Sequence, residues 1–297
     1  MSFRSGFVTI VGRPNSGKST LLNGLTGEKI AIVSNKPQTT RTRVLSILTD
    51  DDSQIVFVDT PGVHNPKTRL GEYMNKVVTD SVSDVDCVLF VAEANEKLLQ
   101  SEKDMITDLF NKKLPVILIL NKVDTVTDKE MLLSQIEDAS SLGEYKAIIP
   151  ISALKKDGTA AVLKEIRALL PEGPMYYPDD MITDQTEREM VCEIIREKML
   201  RLLDKEVPHG IAVEIESMKE GDELTTIGAV IYCEKASHKG IIIGKNGQML
   251  KRIGSYARQD IERLLDKKVF LELWVKVKED WRNSAFMLKE FGYKNED

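Results

Sequence analysis

The chain has 297 residues, of which 42% are hydrophobic and 30% charged, with a formal net charge of −6. That length suits two domains of about 150 residues, each with enough apolar material for a core. The negative balance excludes a protein that coats nucleic acid through its overall field, so any nucleic-acid site must be a local patch. Cys87, Cys192 and Cys233 are far apart and form no CxxC pair. This argues against a disulfide framework or a zinc site and for reduced thiols in the cytoplasm. The opening residues carry no apolar run, so no signal peptide is expected. Nor does any stretch approach the ~20 apolar residues of a membrane span.

In chain order, short Val- and Ile-rich runs cover residues 7–11, 44–48, 55–58, 85–91, 116–120 and 148–151. Most lack polar alternation, as strands buried on both faces do. Helical patterns at 18–25, 102–110, 128–135 and 160–170 lie among them, so the first 170 residues read as an α/β domain with a mostly parallel sheet. The runs 44–48 and 55–58 are joined by Asp50-Asp51-Asp52-Ser53, too short for a crossover helix, which predicts an antiparallel hairpin at the sheet edge. Pro171-Glu172-Gly173-Pro174-Met175-Tyr176-Tyr177-Pro178 reads as an interdomain linker, with a long surface loop of one domain as the alternative.

Beyond it the grammar changes to α+β. Asp184 with Glu187 predicts a capping box before a helix carrying Val191, Ile194, Ile195 and Leu202. Strands follow at 210–216 and 225–233, then a helix ending at 239–243, a Gly-rich turn and a helix over 249–265. The stretch 269–278 alternates, with Val269, Leu271, Leu273, Val275 and Val277 on one strand face. The expected division is residues 1–172, a linker at 173–182, and a second domain at 183–297 with a C-terminal extension.

Gly12-Arg13-Pro14-Asn15-Ser16-Gly17-Lys18-Ser19 fits G-x-x-x-x-G-K-[ST], directly between a strand and a helix. Backbone N–H groups in such a loop curl around phosphates, helped by the positive end of the helix that continues through Thr20. Lys18 would reach the β- and γ-phosphates, and the Ser19 hydroxyl would ligate Mg²⁺. Asn121-Lys122-Val123-Asp124 selects guanine, because the Asp124 carboxylate can accept the N1–H and N2–H pair that adenine lacks. Lys122 would pack its stem over the base while Asn121 ties the loop to the phosphate loop. This motif argues against a P-loop kinase or ATPase. Asp59-Thr60-Pro61-Gly62 follows a strand: Asp59 would hold Mg²⁺ through water, and the Gly62 N–H would sense the γ-phosphate. Ser152-Ala153 also follows a strand, with the Ala153 N–H a candidate donor to guanine O6. All these loops sit at strand C-terminal ends, where open α/β sheets bind ligands.

The set resembles the five-motif translation-factor class of GTPases, with GTP, GDP and Mg²⁺ as the implied ligands. Thr39, Thr40 and Thr42 compete as the first-switch sensor and metal ligand. Thr40 is favoured because Thr40-Arg41 resembles the Thr-Arg of ribosome-assembly GTPases. Val63 stands where Ras-like enzymes carry a water-orienting Gln, so the chain resembles the group with a hydrophobic residue there. His64 is a candidate base or simply a loop residue. Arg41 and Arg43 are candidate fingers or solvated, RNA-facing residues. Asn15 resembles the Asn with which related GTPases hold K⁺ beside the phosphates, or it only stabilises the loop turn. Slow hydrolysis without a protein general base is expected, with Lys18, Thr40 and Gly62 as its main contributors.

Gly244-Lys245-Asn246-Gly247 is a Gly-x-x-Gly between helices, the loop with which KH domains clamp about four single-stranded nucleotides. Eleven Lys and Arg against four acids between residues 235 and 278 make a local +7 island. The candidate RNA contacts are Lys239, Ile243, Gly244, Lys245, Asn246, Gly247, Lys251 and Arg252. The extra helix and strand before this core resemble a type II KH domain. Nearly the whole chain, through Glu279-Asp280-Trp281-Arg282-Asn283-Ser284, closely resembles the Era family of ribosome-assembly GTPases. That resemblance implies binding to the 3′ end of 16S rRNA and the small ribosomal subunit, as a cytoplasmic monomer without DNA. It leaves peripheral membrane association open. Trp281 has two readings, core packing or stacking on a base.

Overall fold

The computed structural model describes residues 2–63 and 66–293 and divides into two compact units. The first comprises residues up to Ala31, those from Thr40, and Met74–Asp184; the second comprises Ile32–Thr39, Pro66–Tyr73 and the chain from Gln185. Candidate base His64 lies outside the described residues.

The elements begin with β1 (Arg4–Val11), α1 (Lys18–Thr26), β2 (Val44–Thr49), β3 (Ser53–Asp59), α2 (Arg69–Asp80) and β4 (Cys87–Glu93). They continue with α3 (Gln100–Asn111), β5 (Val116–Asn121), α4 (Lys129–Ser140), β6 (Ala147–Pro150) and α5 (Thr159–Leu169). The sheet order is β2-β3-β1-β4-β5-β6. Every pairing is parallel except β2 with β3, the expected edge hairpin, in register from Val44 opposite Asp59 to Thr49 opposite Gln54. Asp50 closes that hairpin by accepting the N–H and hydroxyl of Ser53 at 2.7 and 2.9 Å.

Successive strand residues feed different cores. Ile10, Leu89, Ile117 and Ile119 pack with Leu21, Leu22, Val162 and Ile166. Val11, Val88, Phe90, Leu118 and Leu120 pack with Ile106 and Leu109. A strand that faces apolar layers on both sides has no polar face to alternate with, as the apolar runs predicted.

The helix α2 adds to the expected set. Leu70, Met74 and Val78 recur at four-residue spacing and are all buried. Gly71, Val77, Val78 and Thr79 lower its intrinsic propensity, so packing must form it. The proline-rich stretch after α5 is docked along the first unit. Ser5 donates its N–H to the Pro171 carbonyl, Gln54 Oε1 accepts the N–H groups of Tyr176 and Tyr177, and Tyr176 lies against the Phe7 ring at 4.9 Å. Ile47 donates its N–H to the Ile182 carbonyl at 2.9 Å, so this attachment reaches nearly to the start of the next helix.

That helix is α6 (Glu187–Leu202), followed by β7 (Ile211–Lys219), β8 (Leu224–Cys233), α7 (Ala236–Ile243), α8 (Gln248–Leu265), β9 (Lys268–Val277) and α9 (Ala285–Glu290). Its capping box is Thr186 with Glu189, not the predicted Asp184 with Glu187. Glu189 N–H reaches the Thr186 hydroxyl at 3.3 Å and Thr186 N–H reaches the Glu189 carboxylate at 2.8 Å. The two box frames overlap in sequence; the nearby Thr183 hydroxyl is already tied to the Leu45 carbonyl at 2.7 Å, and the helix starts only beyond it. The sheet runs β7-β8-β9, antiparallel then parallel, with Val269, Val275, Ile227, Ile231, Ile253 and Ile261 in one core. Leu271, Leu273 and Val277 pack against it, as the alternation predicted. Trp281 is fully buried and donates its indole N–H to the Gly210 carbonyl at 3.0 Å, which settles it as a core residue.

Buried charge in α6 explains why the second unit includes Ile32–Thr39. Glu197 is fully buried and accepts from Lys198, Arg201 and the Val33 N–H at 2.7, 2.8 and 3.2 Å. Arg196, also buried, pairs with Glu193 and donates to the Gln38 and Thr39 carbonyls. Charges so enclosed persist only when paired and hydrogen-bonded. No described helix is long and apolar enough to cross a membrane.

Candidate nucleotide site and Gly-x-x-Gly loop

The phosphate loop leaves β1 at Val11, and its backbone needs two glycines. Gly12 has φ 147°, and a Cβ there would meet the Val91 carbonyl oxygen at 2.2 Å; Gly17 has φ 96°, and its Cβ would meet Asn121 Nδ2 at 2.2 Å. Asn15 takes the left-handed conformation too, with φ 66°. Arg13, Pro14 and Ser16 complete the turn, and Thr20 continues the helix behind Lys18 and Ser19.

Lys18 is 5% exposed and folds back, donating to the Gly12 and Arg13 carbonyls at 3.0 and 2.9 Å. Burial lowers its pKa to about 8, against the opposing pull of Asp59. Three oxygens from separate elements converge beside it. Ser19 Oγ lies 2.7 Å from Asp59 Oδ2 and 3.0 Å from Thr40 Oγ1, and Thr40 lies 3.3 Å from Asp59. Burial raises the Asp59 pKa, with Lys18 and the two hydroxyls opposing. Asp59 Oδ1 is buried with no hydrogen-bond partner among the described residues. Of the three competing threonines, only Thr40 joins this cluster; Thr39 instead donates its hydroxyl to the Lys36 carbonyl.

Thr60 donates to the Ile10 carbonyl at 2.8 Å, and Pro61 and Gly62 are buried beside the loop. A Cβ on Gly62 would fall 2.5 Å from the Pro14 nitrogen, so only glycine allows that approach. Val63 is half-buried, and its N–H reaches the Gly12 carbonyl at 3.3 Å. Arg41 is only 2% exposed, which corrects its reading as a solvated residue; Arg43 is exposed.

At the end of β5, Asn121 donates to the Ser16 carbonyl at 2.8 Å and so joins the base loop to the phosphate loop, as expected. Its Oδ1 accepts the N–H groups of Lys122 and Ala153 at 2.8 and 2.9 Å. The Ala153 N–H, expected to serve guanine O6, is therefore engaged internally. Val123 donates its N–H to the Ile151 carbonyl at 3.1 Å. Asp124 is exposed, and the Ser152 hydroxyl donates to its Oδ1 at 2.6 Å. That hydrogen bond is the main cause holding the Asp124 pKa below its ordinary value.

Several contributors carried no motif. Glu93 ends β4 and meets Lys122 Nζ at 2.7 Å and the Arg13 guanidinium at 3.5 Å. Arg13 also pairs with Glu96 and lies 3.7 Å from Glu102. The available signal was positional, an acid closing an apolar strand on the ligand side of the sheet.

In the second unit, Gly244 ends α7 with φ 72°, where a Cβ would meet Met249 Cβ at 2.7 Å. Asn246 and Gly247 are left-handed, at φ 52° and 73°, before α8 begins. Lys239, Lys245, Asn246, Lys251 and Arg252 are exposed, and Ile243 and Gly244 are half-buried. The Arg252 guanidinium lies over the Tyr256 ring at 5.7 Å.

Two families match the chain: "50S ribosome-binding GTPase" over residues 7–122 and "KH domain" over residues 206–282. The chain is 57% identical to GTPase Era of Ruminiclostridium cellulolyticum over 295 residues, covering 99% of both chains. Against GTPase Era of Clostridioides difficile it is 53% identical over 293 residues, covering 98% of this chain and 99% of that one. A crystal structure of Era with MgGDPNP and nucleotides 1506–1542 of 16S ribosomal RNA superposes with TM-score 0.95 at 40% identity, covering 99% of this chain and all of the other. A variant of Aquifex aeolicus Era bound to GDP·AlF4⁻ gives the same TM-score, identity and coverage.

Proposed function

The chain belongs to the Era family of GTPases, and from that premise we propose that it is a GTP-driven switch that binds the 3′ end of 16S ribosomal RNA and assists assembly of the small ribosomal subunit. The observation that carries the reading is the full-length match to an Era structure holding both a GTP analogue and that RNA segment. On this reading Asp124 and Lys122 take the guanine, and the loop from Gly12 to Ser19 cradles the phosphates. Ser19, Thr40 and Asp59 offer a hard-oxygen set suited to Mg²⁺, and the unpaired buried Asp59 Oδ1 fits a water-mediated contact. When bound, Mg²⁺ supplies positive charge against the β- and γ-phosphate oxygens.

The chain's own groups position rather than exchange protons. Lys18 turns its ammonium from the Gly12 and Arg13 carbonyls towards phosphate, Thr40 and the Gly62 N–H sense the γ-phosphate, and the Val63 side chain has no polar atom to orient water. Hydrolysis is therefore slow electrostatic catalysis, and Asn15 holding K⁺ is the candidate source of further charge. Coupling to RNA has a covalent route. Thr40 directly follows Ile32–Thr39, the segment whose backbone α6 grips through Arg196 and Glu197.

RNA contact falls to the Gly244–Gly247 loop with Lys239, Ile243, Lys251 and Arg252, whose exposed charge suits single-stranded phosphates. The test is binding of a short 16S 3′-end RNA against a scrambled RNA of equal length. Replacing Lys245 and Asn246 with Asp should abolish the preference while GDP affinity stays unchanged. Equal binding of both RNAs by the wild-type protein would overturn the reading.

A further inference from the structure

Glu93 stands between two loops that meet the nucleotide from different ends. It closes β4, opposite Asn121 in the register with β5. One carboxylate oxygen lies 2.7 Å from Lys122 Nζ, in the base-reading loop; the other lies 3.5 Å from the guanidinium of Arg13, in the phosphate loop. The backbone around Glu93 is itself well held. Ala94 N–H bonds the Asn121 carbonyl at 2.7 Å, and the buried Gln135 of α4 donates to the Glu93 carbonyl at 3.0 Å and to that of Glu96. Its side chain is only 12% exposed.

We propose that Glu93 is a positioning residue for guanine binding: by anchoring the Lys122 ammonium it fixes that side chain's four-carbon stem as a wall of the base pocket, and through Arg13 it ties the wall to the phosphate loop. The inference rests on the reading of Lys122 as a base contact. A free lysine stem has many rotamers to lose when it packs in one place. Part of that loss is met before the nucleotide arrives, and pre-organisation of this kind strengthens binding without any new contact to the ligand. Asn121 supplies one rigid link between the two loops, through Ser16. Glu93 supplies a second, ionic one that reaches the side chains Asn121 does not touch.

The experiment is a double-mutant cycle on GDP dissociation, with Glu93→Gln and Lys122→Met, the latter keeping an apolar stem without its ammonium. Glu93→Gln should speed GDP release about tenfold in the wild-type background and leave it unchanged in the Lys122→Met background. Competition by inorganic tripolyphosphate, which has no base, should be unaffected by Glu93→Gln. Glu93→Asp, which keeps the charge with a shorter reach, should restore part of the loss and guards against misfolding as the cause. Equal acceleration in both backgrounds, or equal weakening of tripolyphosphate, would overturn the proposal while leaving Lys122 as a base contact. Unchanged GDP release in Lys122→Met alone would also overturn the proposal, whereas unchanged release in Lys122→Gly, which removes the stem itself, would overturn the reading on which it rests.

Discussion

Ser152, two residues beyond β6, donates its hydroxyl to Asp124 Oδ1 across 2.6 Å and so holds the carboxylate proposed to select the base. Asp124→Asn turns an acceptor pair into an acceptor and a donor. Preference should move from GTP towards xanthosine triphosphate, with GTP affinity falling about 10- to 100-fold, as for loss of a charged hydrogen bond. Unchanged GTP preference in a competition assay would remove Asp124 from the base site.

The same hydrogen bond has a pH consequence. A carboxyl held below its ordinary pKa stays ionised as pH falls, and its contribution is lost only on passing through that lowered value. The ratio of wild-type to Asp124→Ala affinity for GTP, in which other titrating groups cancel, should therefore be flat from pH 8 to pH 5, and Ser152→Ala should weaken GTP binding several-fold at neutral pH. Titration calorimetry across that range checks both.

Lys18 carries the opposite sign. Its folded pKa of about 8 lies below the 10.5 of an ordinary lysine, so the unfolded chain takes up a proton that the folded one resists. The penalty is full below about pH 8 and is relieved as pH rises towards 10.5. Nucleotide-free Lys18→Ala should melt at or above wild type at pH 7, with the difference shrinking by pH 10. Its GTP turnover should fall about 100-fold or more, as when one transition-state donor is removed. Melting well below wild type would give Lys18 a structural role.

Much of this architecture was legible because each motif of the first unit coincided with a strand end. The apolar runs located the sheet, the hairpin followed from a four-residue connection, and the glycine spacing located both loops. What escaped depended on tertiary context. Helix α2 combines a buried Leu70-Met74-Val78 stripe with weak local formers. The helix start at Thr186 competes with an equally good frame at Asp184. Glu93 and Gln135 act through neighbours that only folding brings together, and the Ala153 N–H is claimed by an asparagine 32 positions earlier.

Trp281 gives a stability test. It is fully buried and bonded to Gly210, so Trp281→Ala should cost about 3–5 kcal/mol of unfolding free energy. Urea melts should show that loss. A variant as stable as wild type but impaired in RNA binding would return Trp281 to a base-stacking role.

If Asn15 holds K⁺ beside the phosphates, GTP hydrolysis should run faster in KCl than in NaCl at equal ionic strength. Asn15→Ala should abolish the difference. Equal wild-type rates in the two salts would direct attention to Arg41, His64 or an external activator.

On the proposed function, guanine-nucleotide and RNA binding are coupled in one chain. Linkage requires that if GTP strengthens RNA binding relative to GDP, RNA must strengthen GTP relative to GDP by the same factor. The direct measurement is a titration of a short 16S 3′-end RNA against the protein loaded with GDP or with a non-hydrolysable GTP analogue. RNA should bind more tightly with the analogue, by a factor of about 5 or more, the usual scale of such coupling. Identical RNA affinity in the two states would contradict it, leaving two independent binding domains on one chain.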